Sequence, residues 1–411
     1  MSTLSRRTAV LVFLAFASAY FLSALIRAIT ATLSPALTQE FALNARDLGL
    51  LAGGYFLGFA ATQLPLGRWL DRHGPKKVIL ALLLVAVLGC AAFALATSFN
   101  GLLLARVLSG VGVSACLMAP LTGYRRWFAP ASQMRANSWM LMTGSMGMVA
   151  STLPVQWLVP LTGWRGLFWG LAVLVLLAMV WIAWQVPAWK TAAVPAADAA
   201  DTVPGKASYA EVWRHPYFRK MAPMGFFIYG GLVAMQTLWV TPWMIRIAGF
   251  TPLEAANGLF WINMTMLATF WGWGLINPWL TRQGYTAERL IRYGMPLSFI
   301  IIAIIIVAGK SIGIWAGMAW AMYCMSCTFI SLAQPAVAMA FPPALAGRAL
   351  SAYNLLIFAG VFAVQWGVGL AIDGFQALGA SELRAFQFAV GCYLLSTVLS
   401  YVYFLTAKSH N

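Results

Sequence analysis

Charge is what this chain lacks most. Only 9% of its 411 residues are charged while 62% are hydrophobic, a ratio from which no water-facing surface can be built. Acidic groups are the scarcest, with ten Asp and Glu against 26 Lys and Arg, and there are only three His. No nucleophile–base pair, hydrophilic metal cluster or phosphate loop is present, so neither enzyme chemistry nor a cofactor nor a bound metal is expected. The five cysteines, Cys90, Cys116, Cys324, Cys327 and Cys392, all fall in apolar stretches. Cys324-x-x-Cys327 has redox or metal spacing, but inside an apolar helix such a pair is ordinarily packing.

What is present is a succession of apolar runs, each able to cross a bilayer as a helix of roughly 20 residues. Twelve spans are predicted, at 8–33, 48–69, 77–97, 100–123, 135–159, 165–186, 221–245, 254–279, 291–309, 312–340, 350–372 and 384–406. The expected fold is an all-α membrane protein of two six-helix bundles, 1–188 and 221–411. They are joined by a polar, Ala/Pro-rich linker at 189–220 that carries Asp198, Asp201 and Lys206, with a short surface helix near 208–219. Trp127, Trp164, Trp189, Trp213 and Trp279, near span ends, are expected as interface anchors.

The net charge of +16 concerns topology rather than nucleic acid. With the N-terminus placed in the cytoplasm, nineteen Lys and Arg fall on that side, five on the other, and two, Arg27 and Arg106, inside spans. That bias predicts both termini in the cytoplasm of a bacterial inner membrane. Ser5-Arg6-Arg7 ahead of a long apolar stretch containing Arg27 reads as the start of a first helix rather than a cleaved signal.

The halves repeat each other. Trp69-Leu70-Asp71-Arg72-His73-Gly74 returns as Trp279-Leu280-Thr281-Arg282-Gln283-Gly284. Phe128-Ala129-Pro130-Ala131, with Arg135-Ala136 and Ser138, returns as Phe341-Pro342-Pro343-Ala344, with Arg348-Ala349 and Ser351. A duplicated apolar chain of this length reads as a secondary transporter with its site between the repeats.

Gly67-Arg68-Trp69-Leu70-Asp71-Arg72-His73-Gly74-Pro75-Lys76-Lys77 lies between the second and third spans. It resembles the Gly-x-Leu-x-Asp-Arg-x-Gly-Arg/Lys-Arg/Lys signature of the major facilitator superfamily. That resemblance implies a cytoplasmic latch formed by Gly67, Asp71, Arg72, Gly74, Lys76 and Lys77, echoed by Arg135, Arg282 and Arg348. Asp71 is expected to face the start of the eleventh helix near Ser351, where free N–H groups favour an anion. Arg106-x-x-x-Gly110-x-Gly112 resembles a fourth-helix motif of the same family that is linked to coupling. Near the outer end of its span, Arg106 would alternatively snorkel to water or brace the first helix. The fifth-helix signature of drug antiporters is not reproduced: Gly144-Ser145-Met146-Gly147-Met148 stands there, with Pro154 only later.

Arg27, followed eight residues later by Pro35, resembles the first helix of the organophosphate/phosphate antiporter and anion/cation symporter branches, where this Arg binds the anionic substrate. Independently of that resemblance, a guanidinium stays charged in a low-dielectric site and offers a planar fork to a carboxylate or phosphate. Tyr20, Ser23, Arg27 and Thr30 share one helical face. No charge lies between Lys220 and Arg246 in the seventh span, where the phosphate branch carries a second Arg; the matching position is close to Ala234. One Arg suits a monoanion better than a phosphate dianion. Further cavity-facing candidates are Tyr55, Tyr229 with Gln236, Asn263, Tyr323 with Gln334, and Asn354 with Gln365. For each of these the competing role is an interhelical hydrogen bond.

None of the ten carboxylates and none of the His lies inside a span, so no buried proton relay is visible. A proton bound to the substrate, exchange against a counter-anion, or uniport remain open, with Asp47 and Asp373 the carboxylates nearest a cavity mouth. The expected partners are a small organic anion and the lipid bilayer, and the expected state is a monomer. Two alternatives stand beside this reading. One is efflux of amphipathic compounds through a cavity lined by Tyr55, Trp139, Trp239 and Trp271. The other is copper import, using Met318, Met322 and Met325 with Cys324 and Cys327, or Met140, Met142, Met146 and Met148.

Overall fold

The computed structural model describes residues 4–188 and 209–407; Trp189, Asp198, Asp201 and Lys206, and with them most of the expected linker, lie outside the described residues. Helix α1 is Arg6–Phe41, capped by Ser5, whose side chain accepts from the Thr8 N–H. The next helix, Ala45–Leu95, has 51 residues, about 75 Å and therefore two passes of a hydrocarbon core ~30 Å thick. Gly74, at φ 77°, breaks it into α2 (45–73) and α3 (75–95), a backbone conformation that glycine adopts without a Cβ penalty. Helix α4 is Phe99–Trp127, and α5 (130–162) is interrupted at Ser151 and Thr152. Gly163, at φ 65°, separates α5 from α6 (164–185).

A short helix, Tyr209–Arg214, leads into the second half. There α7 is Pro216–Ile247, α8 Pro252–Arg282, α9 Ala287–Ala308, α10 316–339, α11 Pro343–Ala377 and α12 Glu382–Thr406. Among the described residues twelve passes result, as the apolar runs predict. Pro216 at the first helical position, where its missing N–H costs nothing, starts α7 five residues early; the expected surface helix is shortened to Tyr209–Arg214.

The first six helices pack on one another and so do the last six, giving the two bundles. Both ends of the described chain lie at one face, termed here the terminal face; the other is the distal face. The bundles meet mainly through α2 against α11 and α1 against α7. At the distal end Asp373 of α11 accepts hydrogen bonds from the backbone N–H groups of Ala45 (3.1 Å) and Arg46 (2.8 Å) at the start of α2. A Cβ on Gly49 would lie 2.3 Å from the Gln365 carbonyl oxygen, so these helices touch backbone to backbone. Further in, the rings of Phe59 and Phe358 meet at 4.4 Å between centroids. At the terminal face Asp71 is exposed and makes no hydrogen bond or ion pair among the described residues. The bundles are thus joined distally, while at the terminal face Asp71 makes no such bond among the described residues.

Candidate substrate site

Arg27 lies on the stretch of α1 that faces the seam between the bundles. Its neighbours Ile26 and Ala28 are buried, while Arg27 is half-buried and its Nε has no hydrogen-bond partner. Its charge acts on the hydroxyls of Tyr55 in α2 and Tyr229 in α7, and Tyr229 is also within electrostatic reach of Tyr20. Tyr20 and Tyr229 are half-buried. Tyr20 fits because α5 presents Gly144 to it; a Cβ there would lie 2.5 Å from the tyrosine ring.

Behind Arg27 stands a buried support. Tyr55 is fully buried and its hydroxyl donates to the Ser23 carbonyl at 3.3 Å. Arg106 is also fully buried; its Nη1 donates to the Ile26 carbonyl at 2.9 Å, and its guanidinium carbon lies 5.1 Å from the Tyr55 ring centroid. Nε and Nη2 of Arg106 have no partner. Of the two alternatives, a route to water and a brace on the first helix, the geometry fits the second: the buried side chain bonds to the Ile26 carbonyl of α1. An uncompensated cation at that depth is expensive, and here it adds positive potential behind Arg27 while fixing the helix that carries it.

The remaining polar candidates divide in two. Gln236 donates to Asn263 (2.9 Å), which donates to the Leu259 carbonyl (2.8 Å). The Gln365 side-chain amide donates to Thr237 (3.0 Å), and its main-chain carbonyl accepts from Trp239 (3.1 Å). The hydroxyls of Tyr323 and Tyr393 are 2.7 Å apart. These residues are buried and tie helices together inside the second bundle, as do Ser23 and Tyr55 inside the first. Gln334 and Asn354, hydrogen-bonded to each other, stay half-buried. The accessible set is thus Tyr20, Arg27, Tyr229, Gln334 and Asn354. Helix α7 contains three π-helical turns, Met224–Tyr229, Met235–Trp239 and Trp243–Ile247, wide turns of a kind frequent at functional sites.

Every described carboxylate sits at a helix end. Glu40 accepts from Trp164 Nε1 (2.6 Å) and Arg165 (2.5 Å); Glu288 pairs with Lys220 at 2.7 Å, Glu382 with Arg246 at 3.6 Å and Asp47 with Arg46 at 3.5 Å. Burial alone would raise the Glu40 carboxyl, but the bonds from Trp164 and Arg165 and the Arg165 charge hold it below its ordinary value. None of these groups pairs with Arg27 or Arg106.

Of the residues expected at the latch, Gly67, Arg72, Lys77, Arg135 and Arg282 are exposed; Lys76 and Arg348 are half-buried and Gly74 is buried. In this conformation Asp71 makes no bond to the start of α11 among the described residues. Trp127 and Trp164 are buried rather than interfacial, because Trp164 turns in to Glu40. The copper grouping does not assemble: α10 turns Met318, Met322 and Met325 outward and buries Cys324 and Cys327 on its other side. Of the four aromatics expected for efflux, Tyr55 and Trp239 are buried inside different bundles, and Trp139 and Trp271 are exposed. Sequence reasoning missed Phe59 and Phe358, since aromatic residues on apolar helices carry no signal of which face they serve.

Residues 16–364 match the family model described as Major Facilitator Superfamily. The chain belongs to this family and is a multi-pass membrane protein. It is similar to the gallate transporter of Pseudomonas putida, 28% identical over 278 residues that cover 60% of this chain and 61% of that one. It is also similar to the 4-hydroxybenzoate transporter PcaK of Pseudomonas aeruginosa, 28% identical over 36% of this chain and 33% of that one. The matched stretch thus spans less than two thirds of either relative. Among solved structures, a bacterial homolog of the human lysosomal transporter Spinster, inward-facing and unoccupied, shares the fold with a TM-score of 0.79 at 17% identity, covering 98% of both chains.

Proposed function

We propose that this protein moves a small organic monoanion, an aromatic carboxylate, across a bacterial inner membrane by alternating access, with both termini in the cytoplasm. The observation that carries this reading is Arg27: a permanently charged guanidinium at the seam between the bundles, half-buried, with an unpartnered Nε and no carboxylate partner among the described residues. The charge missing from the site is the one the substrate brings. The accessible rings of Tyr20 and Tyr229, with Phe59 and Phe358 between the bundles, suit a flat aromatic body by offset or edge contacts. One Arg, with no charge on α7 between Lys220 and Arg246, favours a monoanion, and the named substrates of the two relatives, gallate and 4-hydroxybenzoate, are of that kind. The bias of nineteen basic residues to the terminal side supports placing that face in the cytoplasm, which makes the described conformation inward-open.

Thermal unfolding of the detergent-purified protein against aromatic and aliphatic monocarboxylates, dicarboxylates, phosphate esters, cationic drugs and Cu(I) tests this. A ligand that binds only the folded state raises the melting temperature by mass action. The largest shift is expected from aromatic monocarboxylates. A shift confined to cationic drugs or Cu(I) would reject the reading.

A further inference from the structure

The expected latch places a carboxylate of the first bundle, Asp71, against the N-terminus of α11 at the terminal face. The structure shows the reciprocal arrangement at the other end of the same helix pair. Asp373, in the last turns of α11, receives the Ala45 and Arg46 N–H groups at 3.1 and 2.8 Å, two of the donors that a helix start leaves without intrahelical partners. The carboxylate also meets the positive end of the α2 dipole. The local α2 cap is already occupied, since Asn44 accepts from the Asp47 N–H at 2.8 Å; Asp373 therefore supplies a second, cross-bundle cap. Close packing surrounds it. A Cβ on Gly369 would lie 2.3 Å from the Ala45 carbonyl oxygen, and one on Gly49 would lie 2.3 Å from that of Gln365. Among the described residues no other carboxylate at the distal side bonds across the bundles in this way: Glu382 pairs with Arg246 and Glu40 with Trp164 and Arg165, each within its own bundle.

We infer that Asp373 is a distal lock: its bonds to the start of α2 hold the inward-open conformation, and they must break each time the protein opens to the distal side. Helices α2 and α11 then carry a carboxylate-to-helix-start contact at each end, and the two are mutually exclusive, because the rocking that brings Asp71 to α11 pulls Asp373 from α2. Both contacts use backbone N–H groups as partners, so neither requires a matching basic side chain.

Double electron–electron resonance between spin labels on Asn100→Cys and Ser311→Cys, on distal loops of the two halves, tests the lock in full-length protein with Cys392 replaced by Ser. Asp373→Asn should raise the population of the longer distal distance relative to the shorter by about tenfold, the scale of losing one charged hydrogen bond. Ala45→Pro removes one donor at a first helical position, where proline is well accommodated, and should move the ratio in the same direction by less. Glu382→Gln, which removes a charge at the same face but no bond to α2, should leave it unchanged. A distribution in Asp373→Asn and Ala45→Pro equal to that of the parent, or an equal response in Glu382→Gln, would overturn the lock.

Discussion

Arg106 and Ile26 are joined by a 2.9 Å hydrogen bond from the guanidinium to the main-chain carbonyl, and the residue after Ile26 is Arg27. A fully buried cation thereby positions the backbone that carries a half-buried one. Tyr55 completes the arrangement: its hydroxyl holds the Ser23 carbonyl, one turn earlier on α1, and its ring lies beneath the Arg106 guanidinium.

This arrangement gives an unusual sign for a substitution at Arg106. The residue is fully buried with Nε and Nη2 unpartnered, so an apolar isostere relieves a desolvation cost that one hydrogen bond does not repay. Arg106→Met should leave the melting temperature unchanged or raise it, yet weaken anion affinity by roughly tenfold as potential behind Arg27 is lost. Thermal unfolding and equilibrium binding of 4-hydroxybenzoate on the same preparation separate the two effects. A large drop in melting temperature would show that Arg106 is chiefly structural.

Tyr55→Phe deletes only the hydroxyl bonded to Ser23. The cost should be about 1 kcal/mol of stability, the net value of one buried hydrogen bond, with the ring still stacked under Arg106. Unfolding in denaturant checks the magnitude; a loss several times larger would mean that Tyr55 does more than hold α1.

Glu40 sets an acid limit on the distal side of the first bundle. Its carboxyl is held below the ordinary value of 4.5 by Trp164 and Arg165 against the opposing effect of burial. A depressed folded-state value stabilises above the unfolded one, and that contribution is lost as pH falls through the folded one. The melting-temperature difference between the parent and Glu40→Gln should therefore be full at neutral pH and shrink as the pH falls below that value. A difference that grows on acidification would contradict the assignment.

Much of the architecture was legible in the sequence, for identifiable reasons. Apolar runs long enough to cross a bilayer have few other uses, so the twelve passes could be counted. Gly74 and Gly163 mark breaks because their positive φ is costly for other residues. Arg27 stood out because a charge in such a run needs a purpose. What was not legible is which way each uncharged polar residue turns. Gln236, Asn263, Gln365 and Tyr323 look alike in sequence to Gln334 and Asn354, yet the first four bond between helices of one bundle and only the last two stay accessible. Asp373 was visible as a carboxylate near a cavity mouth, but its partners are backbone N–H groups of Ala45 and Arg46, which no side-chain pattern announces.

The carboxylate inventory bears on coupling. With every described Asp and Glu at a helix end and no His inside a span, no side chain near Arg27 is suited to carry a proton through the membrane. In proteoliposomes an inward proton gradient should change the initial rate of 4-hydroxybenzoate uptake by less than about twofold, while anion preloaded inside accelerates it, since closing the site around an unpaired Arg27 is costly. Uptake into anion-free vesicles driven several-fold by the proton gradient would show that a proton carrier exists.

The measurement that bears most directly on the anion reading is equilibrium binding of 4-hydroxybenzoate by isothermal titration calorimetry to the parent protein, Arg27→Lys and Arg27→Gln. Removing one partner of a buried, hydrogen-bonded charge pair costs about 2–5 kcal/mol, so Arg27→Gln should bind at least about 100-fold more weakly with an unchanged melting temperature. Arg27→Lys, which keeps the charge but loses the planar fork, should fall between. Binding by Arg27→Gln within about threefold of the parent, under 1 kcal/mol, would mean that the anion is held elsewhere and that Arg27 is a structural residue.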